Sequence, residues 1–380
     1  MKILAITPSF LPRVGGLEFG VHNLSVALTN MGHEVLVANM ISNEPSHSEA
    51  NYRVTRIAPL RGGDRFGWHH LPWNRWMEKQ IRGIISSYNP DFITGHFAYP
   101  AGIWLARINP AVPWTITCRA MDIQVSESHN YGYRLQFPVD KILGESLSKA
   151  DRVIVLSDNI KRIVSAMGVA QCAIVKISNG ADIRLRSEVS NIDIKAYFNI
   201  PANGRYILSI GSNRHVKGFD TAVAAFSKIV HMHQNVYYVF LGKDTSKLLT
   251  VAEQYGVKDK IRSHEHLTGE YLRAAYQQAE VFLSSSRMEG FPLVLAEAVM
   301  AGLAIIATDC PGNREVITSS HHGILCPVDN ITAMEDAMHL VLSDDALRRR
   351  LSDFSRSQSD EYDWAKVAES YLSVYRSISA

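Results

Sequence analysis

The sequence predicts an α/β protein made of two doubly wound domains, each with a parallel sheet. Short apolar runs alternate with segments of helical period, and this pattern starts again after residue 204. The length of 380 residues suits two domains. The segment 183–204 has mixed charge and ends in Ile200-Pro201-Ala202-Asn203-Gly204, which is typical of a link between domains.

Each half contains several predicted strands. In the first half these are Lys2–Thr7, Glu34–Met40, Phe92–Gly95, Trp114–Cys118, Arg152–Leu156 and Ala173–Ile177. In the second half they are Tyr206–Ile210, Val236–Leu241, Val281–Ser284, Ala304–Thr308 and Gly323–Leu325. Between the first two strands, Val21, Leu24 and Leu28 recur at helical spacing. Open parallel sheets bind ligands at the carboxyl ends of their strands, so the loops after these runs are the candidate binding regions.

Composition excludes several classes of function. A net charge of +2 without overall clustering of basic residues argues against nucleic-acid binding. The four cysteines have neither metal-site nor disulfide-framework spacing, which predicts buried free thiols and a reducing compartment. The sequence starts without a signal-peptide pattern, and no apolar run approaches ~20 residues. We therefore expect a cytoplasmic protein.

The segment 51–90 is the most basic part of the chain. It has seven basic and two acidic residues, interleaved with Phe66, Trp68, Trp73 and Trp76. Basic charge attracts anionic lipid, and aromatic rings favour the headgroup region, so one interpretation is contact with a membrane surface. The other interpretation is a solvated loop followed by a packed helix.

Residues 285–317 contain the most informative pattern. Glu289 lies in a glycine-containing loop, and Glu297 lies eight residues later on a predicted helix. Pro292 suits the first turn of that helix, and the backbone N–H groups of Leu293 and Val294 then form an anion site. A phosphate at the helix start, with one carboxylate facing a sugar and the other a ribose, fits a nucleotide-sugar.

Two glycine loops add further candidates for phosphate binding. Gly15 and Gly16 follow the first strand and precede a helix, an arrangement that lets a backbone approach a phosphate. In the second half, Gly211 opens a loop that also contains Arg214 and Lys217. A cation in such a loop can stabilise the negative charge of a bound anion. The alternative for the first pair is a simple turn, and the alternative for the second loop is a solvated basic segment.

Glu289-Gly290-Phe291-Pro292 with Glu297 resembles the donor-site signature of retaining glycosyltransferases of family 4. The likeness extends over nearly the whole chain. It implies a GT-B architecture, in which two Rossmann-like doubly wound domains face each other across a cleft. The expected division is an acceptor-side domain over 1–190, a donor domain over 191–360, and a last helix over 361–380 that crosses back to the first domain.

The resemblance also implies roles for residues in the first half. His96, which follows a strand, matches the family's histidine that contacts the donor sugar or the reacting centre, although a strand-end histidine is often structural. The string from Thr117 to Asp122 resembles an acceptor-side segment in which Arg119 replaces the usual histidine and Ala120 the usual glycine. Arg119 and Asp122 could form an acceptor-side ion pair, Arg119 could bind an acidic acceptor, or the pair could simply order the loop.

Two further family segments are recognisable. Lys217-Gly218 matches the lysine–glycine pair of the family's phosphate loop, while Ser212 stands where an arginine is common. Arg214 is the candidate to supply that charge. Asn179-Gly180 resembles a segment near the hinge, where we expect Gly180 to have a positive φ angle.

The function implied is transfer, with retained configuration and without a metal, of a hexose or N-acetylhexosamine. The co-substrate is a UDP- or GDP-sugar, and no other cofactor is expected. The acceptor is a hydroxyl of a glycan or lipid-linked saccharide, as in bacterial cell-surface polysaccharide or lipopolysaccharide synthesis. Contact with the inner face of the cell membrane through 51–90 would make the protein a peripheral one.

Other functions stay open at this point. An epimerase or phosphorylase of the same architecture is one, and a non-catalytic nucleotide-sugar binding protein is another. The latter is disfavoured because both glutamates, Lys217 and His96 occur together. A dinucleotide oxidoreductase would need Gly-x-Gly-x-x-Gly after the first strand, and residues 8–20 lack it.

Overall fold

The computed structural model describes residues 1–13, 15–40, 51–57 and 71–379, without the side chains of 71–74 and 379. Contacts divide the chain into two units. Unit 1 is Met1–Asn179 together with the segment from Trp364 onward, and unit 2 is Gly180–Asp363. The segment 183–204, expected as a link, lies within unit 2 and carries two short helices.

Each unit contains one parallel sheet. In unit 1 the strands are β1 Lys2–Ile6, β2 Glu34–Asn39, β3 Arg53–Arg56, β4 Phe92–His96, β5 Trp114–Cys118, β6 Arg152–Val155 and β7 Ile174–Lys176. In unit 2 they are β8 Arg205–Ile210, β9 Val236–Leu241, β10 Ile261–His264, β11 Val281–Ser284, β12 Ala304–Thr308 and β13 Ile324–Cys326. All the strand pairs in these sheets are parallel. The two doubly wound Rossmann-like sheets predicted from the sequence are confirmed.

The described α-helices connect and cover these strands. They are α1 Gly16–Asn30, α2 Leu71–Tyr88, α3 Ile103–Ile108, α4 Val139–Leu147, α5 Asp158–Ala166, α6 Arg184–Ser187, α7 Ile194–Tyr197, α8 Phe219–Ile229, α9 Leu248–Gln254, α10 Gly269–Gln277, α11 Leu293–Met300, α12 Pro311–Arg314, α13 Ile331–Ser343, α14 Asp345–Gln358 and α15 Trp364–Ser379.

The strand order places a switch point in each sheet. Unit 1 has the order β3-β2-β1-β4-β5-β6-β7, and unit 2 has β10-β9-β8-β11-β12-β13. In unit 1 the chain adds strands from β1 towards one edge of the sheet, and then from β4 towards the other edge. In unit 2 the same change of direction occurs between β8 and β11. Ligands bind outside the carboxyl ends of the strands at such a point. The loops after β1 and β4, and those after β8 and β11, are therefore the positions to inspect.

The core of unit 2 shows why its helices form where they do. Phe219, Val223 and Phe226 recur at helical spacing on α8 and are buried. The ring of Phe226 packs 5.4 Å from Tyr238, and that of Phe219 packs 5.2 Å from Phe240, both on β9. The central strands are apolar on both faces because helices cover both sides of a parallel sheet.

Helix α15 packs against the sheet of unit 1. The ring of Tyr375 stacks 3.9 Å from that of Phe92 on β4, and the Tyr371 hydroxyl lies 3.3 Å from the Thr117 hydroxyl on β5. Most of its buried residues follow a helical stripe, which consists of Trp364, Val367, Ala368, Tyr371, Leu372 and Tyr375. The last helix of the chain thus contributes to the core of the first unit.

Several details differ from the sequence-based predictions. Strands β3 and β10 were not predicted, and each is the edge strand of its sheet, where only part of the chain is buried and the apolar run is short. Gly180 does not have a positive φ angle, so that prediction is wrong. The cysteines are free thiols, as expected, but Cys172 is exposed while the others are buried.

Candidate functional site

In unit 2, the loops after β8 and β11 touch backbone to backbone. Gly218 precedes α8 with φ +61°, a left-handed conformation that favours glycine. A Cβ atom at Gly218 would also overlap the carbonyl oxygen of Ser285. The Ser285 hydroxyl donates to the Lys217 carbonyl at 2.8 Å. The glycine of the predicted Lys217-Gly218 pair therefore lets the lysine loop lie against the loop that leads to Glu289.

Lys217 and Glu289 form an ion pair in this arrangement. The Lys217 Nζ donates to Glu289 Oε1 at 2.5 Å, and the Ser286 hydroxyl donates to the same oxygen at 2.7 Å. The two charged side chains are 23% and 12% exposed, so water and ligands reach them only in part. Reduced solvation strengthens electrostatic interactions. The fold therefore holds a cation and a carboxylate in contact at this point of unit 2.

Arg287, which lies in the loop after β11, forms several hydrogen bonds to the segment after β8. Its guanidinium makes paired hydrogen bonds to Asp220 at 2.9 and 2.8 Å, and donates to Asp329 at 2.8 Å and to the Thr221 hydroxyl at 3.1 Å. Its backbone N–H donates to the Val216 carbonyl at 2.8 Å, and its side chain is only 6% exposed. In the sequence, its position two residues before Glu289 is the one feature that could have marked Arg287 as part of the site.

Gly312, on the short helix α12, lies against Glu289. A Cβ atom at Gly312 would lie 2.5 Å from the Glu289 Cβ and 2.6 Å from its carbonyl oxygen. The side chain of the buried Asn313, also on α12, donates to the Thr308 carbonyl at 2.9 Å. This hydrogen bond fixes α12 to the end of β12. The Arg314 guanidinium pairs with Asp309. Helix α12 thus contacts the loop of Glu289.

The start of helix α11 offers backbone donors. The N–H of Leu295 donates to the Pro292 carbonyl at 3.0 Å, so the N–H groups of Leu293 and Val294 precede the first hydrogen bond of this helix. Pro292 lies just before the helix, with ψ 102°, rather than in its first turn as predicted. Gly290 and Phe291 are buried in the loop that leads there. Donors at a helix N-terminus attract anions.

Glu297 lies on the same helix in a different environment. The Tyr276 hydroxyl, which is buried, donates to Glu297 Oε2 at 2.6 Å. Burial raises the pKa of the Glu297 carboxyl to about 7; the hydrogen bond from Tyr276 opposes that rise, and the charge of Asp182 adds to it. The carboxyl expected to face a ribose is therefore poised to change charge near neutral pH.

The remaining unit 2 candidates lie at the start of the phosphate loop. Gly211 follows β8 with φ +155°, and a Cβ atom there would lie 3.3 Å from the Lys217 Cε. The Arg214 backbone N–H donates to the Ser212 carbonyl at 2.7 Å, and the Arg214 side chain is exposed. This exposure leaves Lys217 as the cation that the fold itself places beside Glu289.

In unit 1, residues of the loop after β1 contact the Glu18 side chain. Gly15 immediately precedes α1, and a Cβ atom there would lie 2.6 Å from Glu18 Oε2, whereas a Cβ atom at Gly16 would meet nothing within 4 Å. The Ser9 hydroxyl donates to the other oxygen of Glu18. Only the first of the two glycines thus lies close to another side chain within unit 1.

The end of β4 and the end of β5 bring the other unit 1 candidates together. His96 is the last residue of β4, only 1% exposed, and its Nδ1 lies 3.3 Å from the Nη2 of Arg119. Phe97, which follows, has φ +75°, a strained value for a bulky residue. Strain of this kind is concentrated at functional sites.

Asp122 binds backbone rather than the Arg119 guanidinium. Its carboxylate accepts N–H groups from Ala98 at 2.6 Å, Ala120 at 2.8 Å and Arg119 at 3.1 Å. Burial raises the pKa of Asp122, and these donors oppose that rise. No ion pair joins Asp122 to the Arg119 side chain among the described residues. Asp122 therefore fixes the strained turn after His96, which is closest to the loop-ordering interpretation.

The basic segment 51–90 is only partly described. Residues 58–70, with Phe66 and Trp68, and the side chain of Trp73 lie outside the described residues. Trp76, on α2, is 37% exposed. Among the helices that the structure describes, none is long and apolar enough to cross a membrane.

Comparisons with known proteins agree with this architecture. A family model described as "Glycosyltransferase Family 4" matches residues 14–185, and one described as "Glycosyl transferases group 1" matches residues 190–358. A glycogen synthase of Mycobacterium tuberculosis is 26% identical, over 99% of this chain and 94% of that protein.

Two solved structures extend the comparison to the fold. A sucrose-phosphate synthase from Thermosynechococcus elongatus has a TM-score of 0.83 at 21% identity, covering 100% of this chain and 99% of that one. Anabaena HepE in complex with UDP-glucose has a TM-score of 0.79 at 16% identity, covering 99% and 100%.

Proposed function

Because the chain belongs to the glycosyltransferases of family 4 and group 1, with their GT-B fold, we propose that it is a retaining transferase. Its donor is a UDP- or GDP-sugar, and the group moved is a hexose or an N-acetylhexosamine. The observation that carries the proposal is the contact of Lys217 with Glu289 at 2.5 Å, with Glu289 four residues before the first residue of α11. Anabaena HepE, a structural neighbour, was solved with UDP-glucose.

The chemistry can be written from these groups. The acceptor oxygen forms a bond to the anomeric carbon on the face from which the diphosphate oxygen departs, and the electron pair of the broken bond stays on the diphosphate. The acceptor proton passes to a leaving phosphate oxygen. Lys217 and the N–H groups of Leu293 and Val294 stabilise the negative charge that develops there. These donors can serve in place of a divalent ion, so we propose metal-independent transfer.

The two glutamates have separate tasks in this scheme. Glu289, held by Lys217 and the Ser286 hydroxyl, contacts a hydroxyl of the donor sugar. Glu297 uses one oxygen for Tyr276 and has the other for a ribose hydroxyl. In unit 1, His96 contacts the donor sugar, while Arg119 and Asp122 shape the acceptor side. The acceptor is a hydroxyl of a glycan or lipid-linked saccharide in bacterial cell-surface polysaccharide synthesis, at the inner face of the membrane.

A thermal-shift screen against UDP, GDP, ADP and their common sugars, without added metal, tests the proposal first. A ligand that binds only the folded state raises the melting temperature by mass action. A shift with one nucleotide class identifies the donor base, and the same sugar is then used in transfer assays with and without EDTA. Loss of turnover in EDTA would refute metal independence, and turnover that requires free phosphate would indicate a phosphorylase.

The anomeric configuration of the product, read from its proton NMR couplings, tests retention. Glu289→Gln is the matched variant, since it keeps the size of the side chain but removes its charge. It should lose most turnover while keeping its melting temperature. Near-normal turnover would remove Glu289 from the site.

A further inference from the structure

The Arg119 side chain is an unusual buried cation in unit 1. Arg119 is 6% exposed, and its guanidinium donates to the Asn179 side-chain oxygen at 3.3 Å and approaches the His96 Nδ1 at 3.3 Å. Its Nε has no hydrogen-bond partner in the part of the chain that the structure describes. Burying a charge is costly unless the group gains specific interactions. The contact with His96 is therefore a candidate for the role of this residue.

The first helix leaves room for this guanidinium. A Cβ atom at Gly20 would lie 2.5 Å from Arg119 Nη1 and 3.2 Å from its Cζ. Glycine inside a helix costs about 1 kcal/mol relative to alanine. Burial lowers the pKa of Arg119, and Tyr371 on α15, Asp122, and Glu18 on α1 oppose that lowering. Arg119, which directly follows β5, is thus surrounded by residues of α1 and α15 as well as by His96.

We propose that Arg119 is a positioning residue that holds His96 as the neutral tautomer with its proton on Nε2. A guanidinium has only donors, so a hydrogen bond from Nη2 requires Nδ1 to be the unprotonated, accepting nitrogen. The single ring proton of a neutral imidazole must then be on Nε2. Burial and the charge of Arg119 lower the pKa of His96 well below its usual range, which agrees with a neutral ring.

The consequence for the reaction rests on the proposed function. With its proton on Nε2, His96 presents a hydrogen-bond donor rather than a base at the nitrogen that is directed away from Arg119. Such a group holds an oxygen of the donor sugar and takes no proton from the acceptor. The proton of the acceptor is thereby left to the departing phosphate.

Nitrogen NMR of the full chain, labelled with 15N-histidine, tests the tautomer without any substrate. Long-range proton–nitrogen spectra separate a protonated ring nitrogen from an unprotonated one, and the His96 signals are those lost in His96→Gln. We expect an unprotonated Nδ1 and a protonated Nε2 that persist through the neutral pH range. A protonated Nδ1 in the unmodified protein would overturn the proposal.

Gly20→Ala displaces the guanidinium while leaving Arg119 and His96 in the chain. It should produce a mixture of His96 tautomers and lower kcat roughly 10- to 100-fold, as expected when the partner that orients a functional histidine is lost. Gly83→Ala is the matched control, since a Cβ atom at this α2 position meets nothing within 4 Å. It should leave both the spectrum and kcat unchanged.

Arg119→Lys provides a second route if Gly20→Ala does not fold. It keeps the charge but shortens the reach, so the tautomer should again become mixed. If His96 keeps the same single tautomer in every folded variant, Arg119 does not position it. The NMR spectrum does not depend on turnover. If the protein uses none of the donors tested but shows the tautomer with the proton on Nε2, the proposed function is refuted and the inference about Arg119 stands.

Discussion

The ionisation of Glu297 should set how donor affinity changes with pH. Burial raises the pKa of this carboxyl to about 7 in the ligand-free protein. The ionised carboxylate accepts from the Tyr276 hydroxyl at one oxygen and can accept from a ribose hydroxyl at the other, whereas the protonated acid spends one oxygen as a donor. Donor binding should therefore favour the ionised form, and affinity should fall as pH falls through the pKa of the free site.

The size of the effect follows from the titration curve. With a pKa of about 7, roughly nine-tenths of Glu297 is ionised at about pH 8 and roughly one-tenth at about pH 6. If only the ionised form binds, Kd should rise about tenfold between these conditions, or about 1.4 kcal/mol. The effect is largest for a nucleotide whose ribose hydroxyls are both present.

Isothermal titration calorimetry with an intact nucleotide-sugar at constant ionic strength is the appropriate assay. Glu297→Gln should bind more weakly at the higher pH and lose the tenfold dependence. Tyr276→Phe removes the hydrogen bond that lowers the pKa of Glu297, so the midpoint of the dependence should move to higher pH. A Kd that is constant with pH in the unmodified protein, or a dependence that survives in Glu297→Gln, would refute this role of the carboxyl.

Further substitutions test the loops of unit 2. Lys217→Ala should lower kcat by roughly 100-fold or more in steady-state assays with an unchanged fold, because it removes the cation at the leaving diphosphate; a change below about twofold would refute that role. Arg287→Gln should weaken donor affinity about tenfold by calorimetry because it releases the two loops, whereas Arg356→Gln, which breaks an exposed pair on α14, should change it little. Equal effects would show that Arg287 does not hold the loops. Gly312→Ala should lower both the melting temperature and donor affinity, since its Cβ overlaps Glu289, and an unchanged melting temperature would contradict that overlap.

The sequence predicted the parts of the site that are encoded by consecutive residues. Glu289 and the start of α11 lie in one short stretch after a strand, so local rules of helix ends and strand–loop order are sufficient. Lys217 was predicted for the same reason, as part of a loop after the first strand of its unit. Its contact with Glu289 follows from the adjacency of β8 and β11, which strand order alone decides.

Arg287 and Tyr276 could not be predicted in the same way. The partners of Arg287 lie 42 to 72 positions away, and the bond of Tyr276 to Glu297 joins residues 21 positions apart on separate helices. Neither residue type signals its partner, because arginine and tyrosine are common on helix surfaces and in cores. Only the packing of the second sheet makes them neighbours of the predicted residues.

Of the interpretations that the sequence leaves open for Arg119 and Asp122, an ion pair between the two side chains does not form in the structure. Opposite charges three positions apart suggest an ion pair, but a short acidic side chain in a turn can also accept backbone N–H groups. Asp122 is fully buried and accepts three of these, so its charge is already compensated by the turn. The guanidinium is then directed to His96 and Asn179 instead. Charge alone does not reveal that backbone N–H groups compete with an arginine for a carboxylate. In this turn they bind Asp122, so the Arg119 guanidinium is available to orient His96.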